Sequence, residues 1–429
     1  MKNRIKQYLL AASMCVGLTA CSDFFEPIPG VQFGLDETFA SKQRTEEYLN
    51  NVYSYVREVT DAIHPNTYGG IFTEASLDGA NRWNKTYAEW TNGSFNSASA
   101  QASEYFSKYY QAIAKASTFI QNVDKCTEAA ASTRGKWKSE ARALRAYYYF
   151  ELLRLYGPIP LIGEDPIPLD ASLEELIKER NSVDECVNFI ATELQSAIDS
   201  GDLLQRAGKA NLGRMDVATC MALKAKLYLY WASPLFNGNT DQASVKNKDG
   251  RQLFPQTEDN SKWTQARDAY ERFMTFATGQ GYKLTEVYTN GKLDPYASCR
   301  AAGEFFTTTW EAVDELIFVK LRDLYDYTYW VCPKFTDFQD TDVTGGGGYY
   351  TTQETVDLFF TKDGLTIEED PGYDKFEGIP GANNFTSGRY YDPNNPSRLY
   401  FDADKSKVLK QWKDREPRFY VNITYSGSI

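Results

Sequence analysis

The chain has 429 residues, 42% apolar and 24% charged, with 58 acidic against 46 basic side chains and a formal charge of −12. That length and balance describe a globular body with a sizeable core. The acidic excess disfavours a nucleic-acid partner, whose binding depends on neutralised phosphates. The single histidine, His64, argues against His-based triads and multi-histidine metal centres.

The amino terminus places Lys2, Arg4 and Lys6 before a short apolar run, Tyr8 to Leu18, that cannot span a bilayer as a stable helix. Leu18-Thr19-Ala20-Cys21-Ser22-Asp23 follows, and the whole resembles a bacterial lipoprotein signal peptide with its lipobox. The resemblance implies removal of residues 1–20 and acylation of Cys21, which several chains would make a stable anchor. An ordinary cleavage site with an incidental cysteine is the alternative. Residues 21–40, rich in Pro, Phe and Gly, are expected to form an extended lipidated leader to a single domain over 41–429. The other cysteines, Cys126, Cys186, Cys220, Cys299 and Cys332, are scattered and odd in number, so buried free thiols are expected, with one or two bridges left open.

In chain order, Tyr48, Val52, Val56 and Val59 predict a helix over about 42–63, followed by a polar, aromatic-studded segment to residue 100. Phe106, Tyr109, Ile113, Ala116, Ile120 and Val123 predict the next helix. Trp137, Ala141, Leu144, Tyr148, Leu152 and Leu155 mark a helix over 134–156, with Tyr147, Phe150 and Leu153 widening its apolar arc until it must pack on several sides. Gly157-Pro158 stops it, and Pro160, Pro166 and Pro168 keep the next segment extended. Val183 to Ile198, capped by Asn181 or Ser182, then Cys220 to Pro234 and about 262–279 complete the helices; the last carries Trp263, Ala266, Tyr270 and Phe273. The fold class expected is mainly α: tetratricopeptide-like hairpins over about 41–280, then a loop-rich part over about 281–429 with short strands such as 315–320. Gly345 to Gly348 is no phosphate loop, because no Gly-Lys-Ser/Thr follows.

Trp137-Lys-Ser-Glu140-Ala-Arg142-Ala-Leu-Arg145-Ala-Tyr147-Tyr-Tyr-Phe150-Glu-Leu-Leu-Arg154-Leu-Tyr156-Gly-Pro158-Ile-Pro160 resembles the central helix and proline loop of the SusD/RagB family. Arg214 to Tyr230, Tyr349 to Phe359 before Asp363-Gly364, and Trp412-Lys-Asp414-Arg415-Glu416-Pro417-Arg418-Phe419 resemble further family segments in order, and the lipobox agrees. The resemblance implies a non-catalytic outer-membrane lipoprotein of Bacteroidetes, facing the cell exterior. Such a protein binds oligosaccharide and delivers it to a SusC-like TonB-dependent transporter. Family members usually continue past the Arg415 motif, so the chain is expected to be incomplete at its carboxyl end.

Paired charges inside a helical scaffold account for Glu140, Arg142, Arg145 and Arg154, and internal partners for Asp414, Arg415, Glu416 and Arg418. No spacing selects a carboxylate pair for glycoside hydrolysis. Asp337, Asp340 and Asp342 offer oxygens to calcium without the glycine-and-glutamate pattern of a calcium loop, and no cofactor is implied. Ligand binding is expected from aromatics in loops, since sugar rings stack on Trp and Tyr while hydroxyls need polar partners. Tyr68, Asp78, Asn81, Arg82, Trp83 and Trp90 form one candidate cluster, and Tyr327, Tyr329 and Trp330 the other. Core packing beneath a long loop, or a partner surface, is the competing explanation for each aromatic. Oligopeptide capture is the alternative function, ahead of a surface hydrolase or an adhesion protein.

Overall fold

The computed structural model of the protein describes residues 34–56, 76, 79–81, 89, 93–165, 167–168, 171–304, 314–320, 349–375 and 380–428. Among the described residues, the first part is carried by α1 (Leu35–Ala40), α2 (Lys42–Tyr53), α3 (Ala100–Asn122), α4 (Ala131–Tyr156), α5 (Leu173–Leu176) and α6 (Val183–Asp199). The long hairpin α7 (Val217–Ala232) and α8 (Ser261–Gly279) follows. Neighbours pack in pairs, α3 on α4, α4 on α6, α6 on α7 and α7 on α8, giving the mainly α, tetratricopeptide-like scaffold that the periodicity predicts. A two-residue strand β1 (Ala80–Asn81) interrupts the scaffold between α2 and α3.

The central helix α4 is buried around most of its circumference, from Trp137 through Tyr147, Tyr148, Tyr149 and Phe150 to Leu153. Such a helix tolerates buried polar groups only when they are paired. Arg145, with no exposed surface, donates from Nε to Glu193 Oε2 at 2.8 Å and from Nη1 to Ser117 Oγ at 3.1 Å, while Arg142 donates to Glu193 Oε1 at 3.1 Å. Arg154 pairs with Glu151 at 2.8 Å. These are the internal charge pairs expected of this helix.

The ends of the helices follow from local chemistry. Ser182 and Glu185 form a reciprocal capping box on α6, with Ser182 N donating to Glu185 Oε2 at 2.7 Å. Asn181, the other expected cap, instead accepts from Leu161 N at 3.0 Å and holds the proline loop. Asp216 caps α7 by accepting from Thr219 N at 2.7 Å. Gly157 ends α4 at φ 68°, and a Cβ there would meet the Phe254 ring at 3.0 Å, so both conformation and space demand glycine.

Four expectations need correction. Residues 35–40, expected to be part of an extended leader, form the helix α1, and its Phe39 is buried in the core. The helix predicted over 42–63 ends at Tyr53, and 54–56 form a turn; 57–63 lie outside the described residues. The 315–320 segment is irregular and not a strand: among the described residues no strand pairs with it, and Ile317 O is taken by Thr219 of α7. Trp263 is 41% exposed, although Ala266 and Phe273 on the same helix are buried, and Phe106 likewise sits at the rim of its apolar face.

Beyond α8 the elements are short: the ribbon β2 (Tyr288–Thr289) with β3 (Lys292–Leu293), α9 (Pro295–Glu304), β4 (Tyr349–Tyr350) and α10 (Gln353–Asp357). The antiparallel, bulged pair β5 (Arg389–Asp392) and β6 (Asn395–Asp402), and α11 (Pro417–Asn422), complete them. A second, aromatic core lies here around Tyr400, Phe401 and Val408, with Tyr400 stacked on Tyr420 at 3.9 Å between centroids. Among the described residues Cys126, Cys186, Cys220 and Cys299 are free, the first three buried, and no helix is long and apolar enough to cross a membrane.

Candidate functional site

Of the ligand residues expected from sequence, Tyr68, Asp78, Arg82, Trp83, Trp90, Tyr327, Tyr329 and Trp330 lie outside the described residues, as do the acylation site Cys21 and the acidic trio Asp337, Asp340 and Asp342. Asn81 is described through its backbone: β1 pairs antiparallel with β4, setting Ala80 opposite Tyr350 and Asn81 opposite Tyr349. The strand pair therefore brings the middle of the first candidate cluster, at Asn81, against residues 349–350, which follow the second cluster in the chain. Tyr350 itself is 54% exposed beside it.

Ahead of both clusters in the chain, the turn that follows α2 meets the strap at 314–320. Lys320 Nζ donates to Val56 O at 2.6 Å and reaches Ser54 O at 3.4 Å, a cation set on the carbonyls that follow the carboxyl end of α2. The strap at 314–320 is seated by further contacts: Thr219 Oγ1 donates to Ile317 O at 3.3 Å, Arg206 pairs with Asp314 at 2.8 Å, and the Phe318 ring packs edge-on to Tyr147. Gly213, at φ 81°, passes beneath Val319, whose carbonyl oxygen would lie 2.9 Å from any Cβ built there.

Between the end of α2, the 210–214 turn and the strap lies a cleft of about 380 Å³, lined by Asn50, Tyr53, Asn211, Arg214, Phe318 and Lys320 among others. One wall is a buried polar network. Tyr53 donates to Glu140 Oε2 at 2.9 Å and accepts from Met215 N at 2.8 Å, while Arg214 Nε donates to the same carboxylate at 3.0 Å. Burial drives the Tyr53 phenol well above its ordinary range, and the neighbouring Glu140 charge pushes the same way. Burial also raises Glu140, with the Arg214 guanidinium opposing it. Tyr53 therefore stays a neutral donor to the carboxylate, and the charge of Arg214 is answered by Glu140 and, at 3.7 Å, by Glu46.

Periodicity gave no sign of the aromatic cluster around Tyr390, Tyr400, Trp412, Tyr420 and Tyr425, because its members come from a hairpin, a turn and a short helix. Their rings pack on one another, and Arg398, which donates to Asp294 at 2.8 Å and Asp392 at 2.6 Å, lies over Tyr296. In the Arg415 motif, the guanidinium is buried against Val356 O and Phe359 O, and Glu416 accepts from Phe360 N at 2.9 Å. These charges are structural. Among the described residues no group of three or more His, Cys, Asp or Glu is placed to hold a metal ion.

A helical-hairpin scaffold that carries an irregular, aromatic-rich half is the architecture of a SusD-like protein. Residues 32–229 match a family model described as "Starch-binding associating with outer membrane", and residues 315–429 match the SusD family model. A SusD-like protein of Bacteroides ovatus is 27% identical over 175 residues, 39% of this chain and 30% of that protein. Among solved structures, BT4246 superposes with a TM-score of 0.69 at 24% identity, covering 89% of this chain and 64% of its own. A SusD-like protein (BF3747) from Bacteroides fragilis NCTC 9343 gives 0.63 at 19%, over 93% and 66%. A SusD-like carbohydrate binding protein (BF0978) from the same strain gives 0.52 at 15%, over 79% and 57%. The match thus spans 30% of the curated relative and 64% of BT4246. The chain belongs to the SusD/RagB family.

Proposed function

We propose that this protein is a non-catalytic glycan-binding lipoprotein of the outer membrane, acylated at Cys21, that captures oligosaccharide at the cell surface and hands it to a SusC-like TonB-dependent transporter. The observation that carries the reading is the double closure described above. Val56, ahead of the first aromatic cluster, meets Lys320, ahead of the second, and β1, which holds Asn81 of the first cluster, pairs with β4, which follows the second. Two chain segments joined at two points have a high effective concentration for one another. Tyr68, Asp78, Asn81, Arg82, Trp83 and Trp90 from one, with Tyr327, Tyr329 and Trp330 from the other, then supply one composite surface of stacking platforms and hydroxyl partners. Family membership and the likeness to BF0978 support the same reading.

The test is a set of binding isotherms of the purified chain against a polysaccharide and oligopeptide panel, with a Trp83→Ala/Trp330→Ala double variant alongside. Saturable binding of a glycan, weakened about tenfold or more in the variant, is the expected result, since each stacked ring contributes on the order of 1 kcal/mol. Unchanged affinity would sink the assigned residues. Binding of peptides alone would replace glycan by peptide as the cargo.

A further inference from the structure

We propose that the outer face of the β2–β3 hairpin, Tyr288 with Leu293 and Glu286, is an accessory site that stacks a pyranose ring of a polysaccharide, in addition to the residues of the two aromatic clusters. The inference rests on the reading of this protein as a glycan binder and gives it a second contact face. Tyr288 and Leu293 are direct cross-strand partners, so their side chains share one face of the ribbon. They are 61% and 49% exposed, whereas Val287 and Thr289 on either side of Tyr288 are half-buried. The usual alternation is inverted, and the larger apolar side chains of the hairpin meet solvent.

The support beneath this face is rigid. Asn290 and Gly291, both at positive φ, close a two-residue turn of the kind that suits a tight hairpin. Asp294, buried at the foot, accepts from Thr289 Oγ1 at 2.8 Å, and its N–H donates to Val287 O at 2.8 Å. Arg398 of β6 donates to both oxygens of the same carboxylate, at 2.8 and 2.9 Å. Its guanidinium lies over Tyr296, which packs on Tyr400. Val287 N is met by Ser298 Oγ of α9 at 2.9 Å. The hairpin is thus fastened to β6, α9 and the aromatic core, and its face has little freedom left to lose on binding.

The chemistry and the size of the face select its occupant. The Tyr288 hydroxyl donates to Glu286 Oε2 at 3.0 Å, which sets the ring beside a carboxylate. A sugar lays its C–H face on such a ring and donates from its hydroxyls to the adjacent carboxylate, while Leu293 extends the apolar floor. A stable protein partner covers about twenty residues a side. Two large side chains and one carboxylate are a small part of that, and they match one or two sugar rings.

The test is affinity electrophoresis of the full chain through gels holding soluble starch, a β-1,3-glucan, a xylan or a mannan, with sedimentation velocity in the absence of glycan. The variants are Tyr288→Ala/Leu293→Ser, Tyr288→Trp and Trp83→Ala/Trp330→Ala. In a gel that retards the wild type, Tyr288→Ala/Leu293→Ser should weaken the apparent affinity about three- to tenfold, the worth of one stacked ring. Tyr288→Trp should keep or raise it. Tyr288→Ala alone serves as the readout if the double variant melts earlier than the wild type. Wild-type retardation of Tyr288→Ala/Leu293→Ser in every gel, or no gel that retards the wild type, overturns the proposal. A wild-type dimer that this variant dissolves would make the face a contact between copies and overturn it equally. Retardation lost only in Trp83→Ala/Trp330→Ala would remove this face and keep the proposed function. Retardation lost only in Tyr288→Ala/Leu293→Ser would sink the residues assigned there and leave this face standing.

Discussion

The helical part and the loop-rich part are both built on aromatics and buried arginines, yet they are ordered differently. In the helical part, Tyr147, Tyr148 and Tyr149 follow one another on a single helix and become buried because neighbouring helices enclose α4. In the loop-rich part, Tyr390, Tyr400, Trp412 and Tyr420 come from separate short elements and pack mainly on each other. Arg145 reads a carboxylate one helix away, whereas Arg415 is held by the main-chain carbonyls of Val356 and Phe359. A scaffold can rely on periodicity; an irregular region must fix each turn with its own polar contacts.

The largest expected effect lies in the scaffold. Arg145→Met leaves the Glu193 carboxylate, 4% exposed, with Arg142 as its one remaining guanidinium partner and its Oε2 unmet, and chemical denaturation should show a loss of about 3 kcal/mol. Arg145→Met/Glu193→Met should recover much of it, because an apolar pair of similar volume is well tolerated. A double variant as unstable as the single would mean that the pair itself, and not the stranded charge, secures α4.

Acid should separate the two regions. Hydrogen bonds from Arg398, joined by Ala297 N and Thr289, hold the Asp294 carboxyl well below its ordinary value. A depressed carboxylate contributes stability that is complete above its unfolded pKa, near 4, and lost as pH falls through the folded value. Tyrosine fluorescence of the loop-rich part should therefore weaken in cooperativity below about pH 4, before helical circular dichroism is lost, and Asp294→Asn should remove part of that pH dependence. Simultaneous loss of both signals would erase the distinction.

A smaller effect is expected at Gly157. Alanine there meets both φ 68° and the Phe254 ring, a cost of about 1–3 kcal/mol visible as a lower melting temperature. The smallest is a predicted absence of change: burial pushes the Cys186 thiol up to about 12, so a thiol reagent at pH 8 should leave Cys186 unlabelled in the native chain. Rapid native labelling of Cys186 would show that the α4–α6 contact opens.

The scaffold was largely legible because burial and helical period coincide, as at Ile113, Ala116 and Ile120 on α3 or Val187, Ile190 and Leu194 on α6. The pattern misled where apolar residues serve a contact outside a regular element. Val56 continues the spacing of α2 yet lies in the turn whose carbonyls Lys320 takes, and Ile317 and Phe318 read as a strand while seating a strap on helices. For the site, sequence supplied the aromatic candidates. What it could not supply was the joining of their segments, since a two-residue pairing and one lysine on two carbonyls have no recurring spacing.

The proline loop has a consequence for solubility. Tyr149 both donates to Ile162 O at 2.8 Å and accepts from Ile162 N at 3.0 Å, doing for that residue what a neighbouring strand would do. Tyr110 donates to Pro160 O, the Asn181 side chain accepts from Leu161 N, and Asn181 N donates to Ile159 O. An extended segment whose main-chain groups are already met, most of them by side chains, offers few sites for another chain to add as a strand. Residues 159–162 can thus stay extended at the edge of a helical body without becoming a template for self-association.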